Sequence, residues 1–104
     1  MSIEKVIEVA SGIIAGNIGV VEGSRILSSL RFEVTSEDHD SDFIPFIGID
    51  SESDHIPLGE VRKRWSEAGL AKMDAELKEI EDHYRKCAVE ASEKLIERYA
   101  STNT

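Results

Sequence analysis

Cys87 is the only cysteine, so no internal disulfide can form and a reducing compartment is expected. The only two prolines, Pro45 and Pro57, leave the second half of the chain free of the strongest helix breaker. No apolar run approaches the roughly 18–20 residues that span a bilayer. The opening Met1-Ser2-Ile3-Glu4-Lys5 puts an acid where a signal peptide carries only bases. A cytoplasmic location without membrane association is therefore expected. Bases are scarce as well: 12 Lys and Arg face 21 Asp and Glu, for a net charge of -9. This balance argues against nucleic acid as a direct ligand, because phosphate binding relies on Lys and Arg to displace counterions. It favours a basic protein partner instead.

What is present fits a helical protein. With 104 residues, 40 % of them apolar and only 6 % aromatic, the chain has material for one modest core, and a single domain over 1–104 is expected. Its acidity is concentrated. Residues 1–31 and 59–104 are close to neutral, whereas 32–58 hold Glu33, Glu37, Asp38, Asp40, Asp42, Asp50, Glu52 and Asp54 with no Lys or Arg. Such a segment is either a solvated loop that maintains solubility or a negative surface that steers a cationic partner.

Apolar spacing predicts three helices. The first covers about 2–16, with Ser2 as cap, Glu4 in its first turn and Ile3, Val6, Ile7, Ala10, Ile13 and Ile14 on one face; Gly16 and Asn17 can end it. The second covers about 19–32, with Val20, Ile26, Leu27 and Leu30 on a shared face. Gly23 inside it implies close approach of a neighbouring helix, since interior glycine otherwise costs about 1 kcal/mol. The third, about 67–100, follows a heptad seam of Leu70, Met73, Leu77, Ile80, Tyr84, Cys87, Ala91 and Leu95. Asp74–Lys78, Glu81–Arg85, Asp82–Lys86 and Glu90–Lys94 set an acid four residues before a base, the favourable order. At 1.5 Å per residue this helix would be roughly 50 Å long, more than twice the length of either partner. A bend, a covering segment or a second chain is needed along the rest of it, and a homodimer through this helix is one expectation.

Between the helices, Val34–Asp42 has turn composition. The apolar run Phe43–Ile49 contains Pro45 and Gly48, which suit a central strand poorly. The expectation is an irregular or short-strand segment over about 43–61, extended along the helices and paired at most with a short strand near Ile56–Val61. The fold class is thus mainly α: two N-terminal helices packed on one long C-terminal helix.

No catalytic centre stands out, and neither an enzyme nor a cofactor is expected. Asp50, Glu52 and Asp54 alternate as at the start of a calcium loop, but the sixth position is His55 rather than glycine and the twelfth is Val61 rather than glutamate. Glu76, Glu79, Asp82 and His83 cluster on the long helix. His83 follows Glu79 by four rather than three residues, against the iron-bundle pattern. A magnesium site would need an acidic pair on a facing helix, where only Glu4, Glu8 and Glu22 are available. These acids read more simply as a solvated helix face. Cys87 reads as a buried structural thiol on the seam. Arg62, Lys63 and Arg64 form the single basic cluster, directly before Trp65. Trp65 reads first as a core anchor and second as an interface hot spot.

Two stretches resemble a pattern in small uncharacterised bacterial proteins. One is Glu22-Gly23-Ser24-Arg25 with Leu27, Leu30 and Arg31; the other is Phe46-Ile47-Gly48-Ile49-Asp50-Ser51-Glu52-Ser53-Asp54 followed by Pro57-Leu58-Gly59-Glu60-Val61-Arg62 and Trp65. In size and acidity the chain also resembles bacterial immunity proteins, a likeness of type that assigns no residue a role. The expected function is a non-catalytic inhibitor of a basic toxin domain such as a nuclease. Asp38, Asp40, Asp42, Asp50, Glu52 and Asp54 would meet the partner, with Arg62 and Trp65 at the edge. The alternative is a homodimeric helical scaffold or regulatory adaptor.

Overall fold

The computed structural model describes residues 2–37 and 39–102, and their regular structure is entirely helical. The elements are α1 (Ser2–Ala15), α2 (Val20–Val34), α3 (Ile44–Ser53), a 3-10 helix (Gly59–Arg64) and α4 (Glu67–Thr102). Both N-terminal helices pack against the long α4, as the spacing predicts.

The ends of α1 are set by local chemistry. Gly16 takes a left-handed φ of 82°, and the Gly16 and Asn17 amides donate to Ile13 and Gly12 at 3.2 and 2.9 Å, closing the helix in a Schellman turn. The chain then reverses into α2. Ser2 does not act as the expected cap; its hydroxyl donates to Glu33 at 2.6 Å and joins the start of α1 to the end of α2. The start of α2 has no side-chain cap of its own. Glu81 of α4 supplies one from sixty residues away, its carboxylate accepting the Val21 amide at 3.1 Å.

The segment expected to be extended is instead helical over Ile44–Ser53, and no strand forms near Ile56–Val61. Pro45 falls in the first turn of α3, where a missing N–H costs nothing and the fixed φ suits a helix. Phe46, Ile49 and Ser53 then recur at helical spacing on the buried side. Gly48 faces open space, so its penalty is only the roughly 1 kcal/mol of a solvated helical glycine. At the other end Arg25 of α2 donates to the carbonyls of Ser53 and, at 2.8 Å, Ile56. A cation there satisfies orphan carbonyls and complements the negative helix terminus. The two stretches that share a resemblance are therefore in direct contact through Arg25.

These contacts make the four α-helices run alternately up and down. The core joins Val6, Val9 and Ile13 of α1, Val20, Val21 and Leu27 of α2, Phe43, Phe46 and Ile49 at α3, and Ala88, Ala91, Leu95 and Tyr99 of α4. Each fully buried Leu or Phe stabilises by about 1.5–3 kcal/mol. Gly23 is buried against α1, where an added Cβ would come within 2.5 Å of Ile13 Cδ1, which bears out the expected close approach.

The seam of α4 departs from its heptad reading. Cys87 is exposed, and Ala88 takes the buried position. A straight helix drifts by about 20° per heptad, so a straight contact line moves to later residues, here 80, 84, 88, 91, 95 and 99. The acid-before-base pairs are also redistributed. Asp74 pairs with Arg62 at 2.7 Å and Lys78 with Asp82 at 2.8 Å, while Glu81 caps α2. Trp65 is no core anchor: it is 39 % exposed and lies against Gly69 at the start of α4.

Candidate protein-binding surface

The acidic segment divides into residues used by the fold and residues left open. Asp40 belongs to the first group and is only 5 % exposed. It accepts hydrogen bonds from the Asp42 amide at 3.0 Å, the Thr35 hydroxyl at 3.0 Å and the Arg98 guanidinium at 2.9 Å. Burial alone would raise its pKa; the Asp42 amide, Arg98 and Thr35 together outweigh that and hold it below the ordinary carboxylate value. Asp42 shares Arg98 at 3.0 Å, so one cation from α4 holds both Asp40 and Asp42. Asp50 is turned toward Arg25, with 3.7 Å between charged atoms.

Glu52 and Asp54 belong to the second group. Both are exposed at the end of α3. Glu52 accepts a hydrogen bond from the Tyr84 hydroxyl, and this bond raises the Tyr84 pKa. Asp54 has no partner among the described residues. Glu52 lines a shallow hollow with Glu79, Ile80, His83 and Tyr84 of α4. Beside it His55 and Glu76 meet at 2.6 Å. The antiparallel course of α3 and α4 thus brings Glu79 up to Glu52 and Glu76 up to His55, both acids read from sequence as an ordinary solvated helix face. Their spacing of three, with His83 four further on, was the available signal. Nothing local in the sequence says that α3 packs across that face.

Arg62 makes a two-pronged pair with Asp74, its nitrogens 2.7 and 3.0 Å from the two carboxylate oxygens. That bond raises the Arg62 pKa and lowers that of Asp74. Arg62 and Trp65 therefore sit at the first turns of α4, next to the His55–Glu76 pair and away from the Asp40–Arg98 clip. Asp38 lies outside the described residues.

Chemically, the open part of this surface offers carboxylates, one of them already accepting the Tyr84 hydroxyl. Such an array can attract and pair with cationic side chains. Among the described residues no group of three or more His, Cys, Asp or Glu side chains is arranged to hold a metal ion. No described helix is long and apolar enough to cross a membrane. Comparison with known proteins finds no matching family model, no matching curated protein and no matching solved structure.

Proposed function

We propose that this chain is a non-catalytic protein that binds and blocks a basic partner, of the type represented by bacterial immunity proteins that neutralise a nuclease toxin. The observation that carries the reading is the charge left open once the fold has used Asp40, Asp42 and Asp50. Glu52 and Asp54 stand exposed from a segment that contributes no Lys or Arg, with Glu79 across the same hollow. A cationic cleft docked there would exchange its counterions for fixed carboxylates and would be steered to them over about one Debye length, ~8–10 Å. Blockade of such a cleft needs no chemistry from the inhibitor.

The test is retention of proteins from the cell's own extract on the immobilised chain, at low and high salt, beside a triple variant Glu52→Gln, Asp54→Asn, Glu79→Gln. The expected result is one basic protein that is released as salt rises and associates roughly tenfold more slowly with the variant. Equal retention by both proteins, insensitive to salt, would sink the acidic-surface reading. Recovery of the bait alone with a dimeric mass would favour the second reading, a homodimeric helical scaffold. The length of α4 motivates that alternative: its first turns outrun α1 to α3, and Leu70 and Met73 are half-buried outside the main core.

A further inference from the structure

The 3-10 helix Gly59–Arg64 is an element that the core does not explain. None of its six residues is buried. A 3-10 run longer than three or four residues is uncommon, because its hydrogen bonds are poorly aligned and its side chains eclipse. Here the shape is closed at its C-terminal end by the Trp65 amide donating to the Arg62 carbonyl at 3.1 Å and held from outside by the Arg62–Asp74 pair. With Arg62 fixed in this way, its neighbours on the same short helix are presented to solvent.

Those neighbours combine two properties. Val61 is 45 % exposed and Trp65 39 % exposed, which makes them two of the five large apolar side chains left open among the described residues. They flank Lys63 and Arg64, part of the only basic cluster in a chain of net charge -9. Lys63 is tied only to Glu60, at 2.9 Å between side chains that are 76 % and 89 % exposed, a pair weak enough to be exchanged for another acid. Arg64 has no partner among the described residues. Glu60, Val61, Lys63 and Arg64 line one open groove.

We propose that this tip, Val61, Lys63, Arg64 and Trp65, docks a short acidic peptide segment of a partner protein that carries an apolar side chain. Its charge is opposite to that of the carboxylate surface, so the proposal is independent of the inhibitor reading. Tryptophan and arginine side by side are the residue types that anchor protein interfaces. Charge complementarity selects an acidic occupant, and the exposed Val61 and Trp65 select one with an apolar anchor. A nucleic-acid strand, an anionic membrane or a second copy of this chain would extend beyond the tip. Each would bring its negative charge against the rest of a molecule 48 Å long that is itself strongly acidic. A short peptide keeps its charges at the tip.

Trp65 is the only tryptophan, so its emission reports on this site alone. The probes are three dodecapeptides with the same two leucines and one phenylalanine, the remaining positions being glutamate, serine or lysine. The acidic peptide is expected to shift Trp65 emission to shorter wavelength, saturably, with a Kd about tenfold below that of the serine peptide. The double variant Lys63→Glu, Arg64→Glu is expected to abolish that preference, and Val61→Asp to weaken all binding. Arg62 is left untouched, and thermal unfolding checks that each variant stays folded. No emission change with any peptide, or equal affinity for the glutamate and serine peptides, overturns the proposal. Tighter binding to a thymidine dodecanucleotide or to phosphatidylglycerol vesicles overturns the choice of partner, as does a peptide-free increase in mass that Val61→Asp reverses.

Discussion

Asp40 joins three kinds of stabilisation in one side chain: it turns the loop onto itself through the Asp42 amide, accepts from Thr35 and captures Arg98 across the bundle. Asp40→Asn keeps the size and one acceptor oxygen but leaves Arg98 with a neutral partner. Through Asp42 at 3.0 Å Arg98 keeps one ionic partner, so the loss is that of the charge-assisted bonds at Asp40 alone, about 1–2 kcal/mol in urea unfolding. The same carboxylate sets a pH dependence. Its folded pKa is below its unfolded one, so the folded state binds fewer protons. Its contribution is fully present above the unfolded carboxylate value of about 3.9 and is lost as pH falls from there through the lowered folded value. Stability measured between pH 6 and pH 3 should therefore fall less steeply in Asp40→Asn than in the parent chain. Parallel curves would show that Asp40 does not carry this acid sensitivity.

Among the elements, the α1–α2 contact rests on what Gly23 lacks. An added Cβ would lie 2.5 and 2.6 Å from Cδ1 and Cγ1 of Ile13, a side chain with no exposure. Gly23→Ala gains up to about 1 kcal/mol of helix propensity and incurs overpacking of about 1–3 kcal/mol. Net destabilisation is expected, with a lower thermal midpoint. A rise would mean that α1 shifts freely and that the close approach is incidental. α3 was the least legible element from sequence. Pro45 and Gly48 disfavour a helix interior, and five β-branched or aromatic residues in the seven of Phe43–Ile49 favour an extended reading locally. Tertiary packing overrides it, because Phe46, Ile49 and Ser53 reach the core together only on a helix, and Arg25 is positioned to close that helix.

At the scale of the whole molecule, the principal dimensions are 48, 23 and 22 Å, so α4 sets the long axis and the other helices cover only part of it. Among the described side chains of α4 the buried ones are Ala88, Ala91, Ser92, Leu95 and Tyr99. Its early turns are fastened by the solvent-exposed Arg62–Asp74 and His55–Glu76 pairs and by half-buried Leu70 and Met73. Local opening should therefore be easier at that end. Native-state hydrogen exchange is expected to give amides 70–76 markedly lower protection than amides 88–99. Uniform protection along α4 would point instead to a partner or second copy holding the early turns. Leu77 and Ile80 pack on the core cluster, so only Leu70 and Met73 are suitable positions for probing such a contact without unfolding the bundle.

Periodicity, composition and turn chemistry alone determined α1, α2 and α4 to within a residue or two, the end of α1 at Gly16 and the concentration of acid in one segment. These follow from interactions within about four residues of the chain, which sequence displays directly. Tertiary structure alone decided that 44–53 is a helix, that Ala88 and not Cys87 faces the core, that Trp65 stays at the surface, and which acids remain open. Those outcomes depend on partners dozens of residues away. Arg98 neutralises Asp40 and Asp42, Arg25 closes α3, and Glu81 caps α2, and each pairing exists only because helix packing brings the two side chains into hydrogen-bonding range.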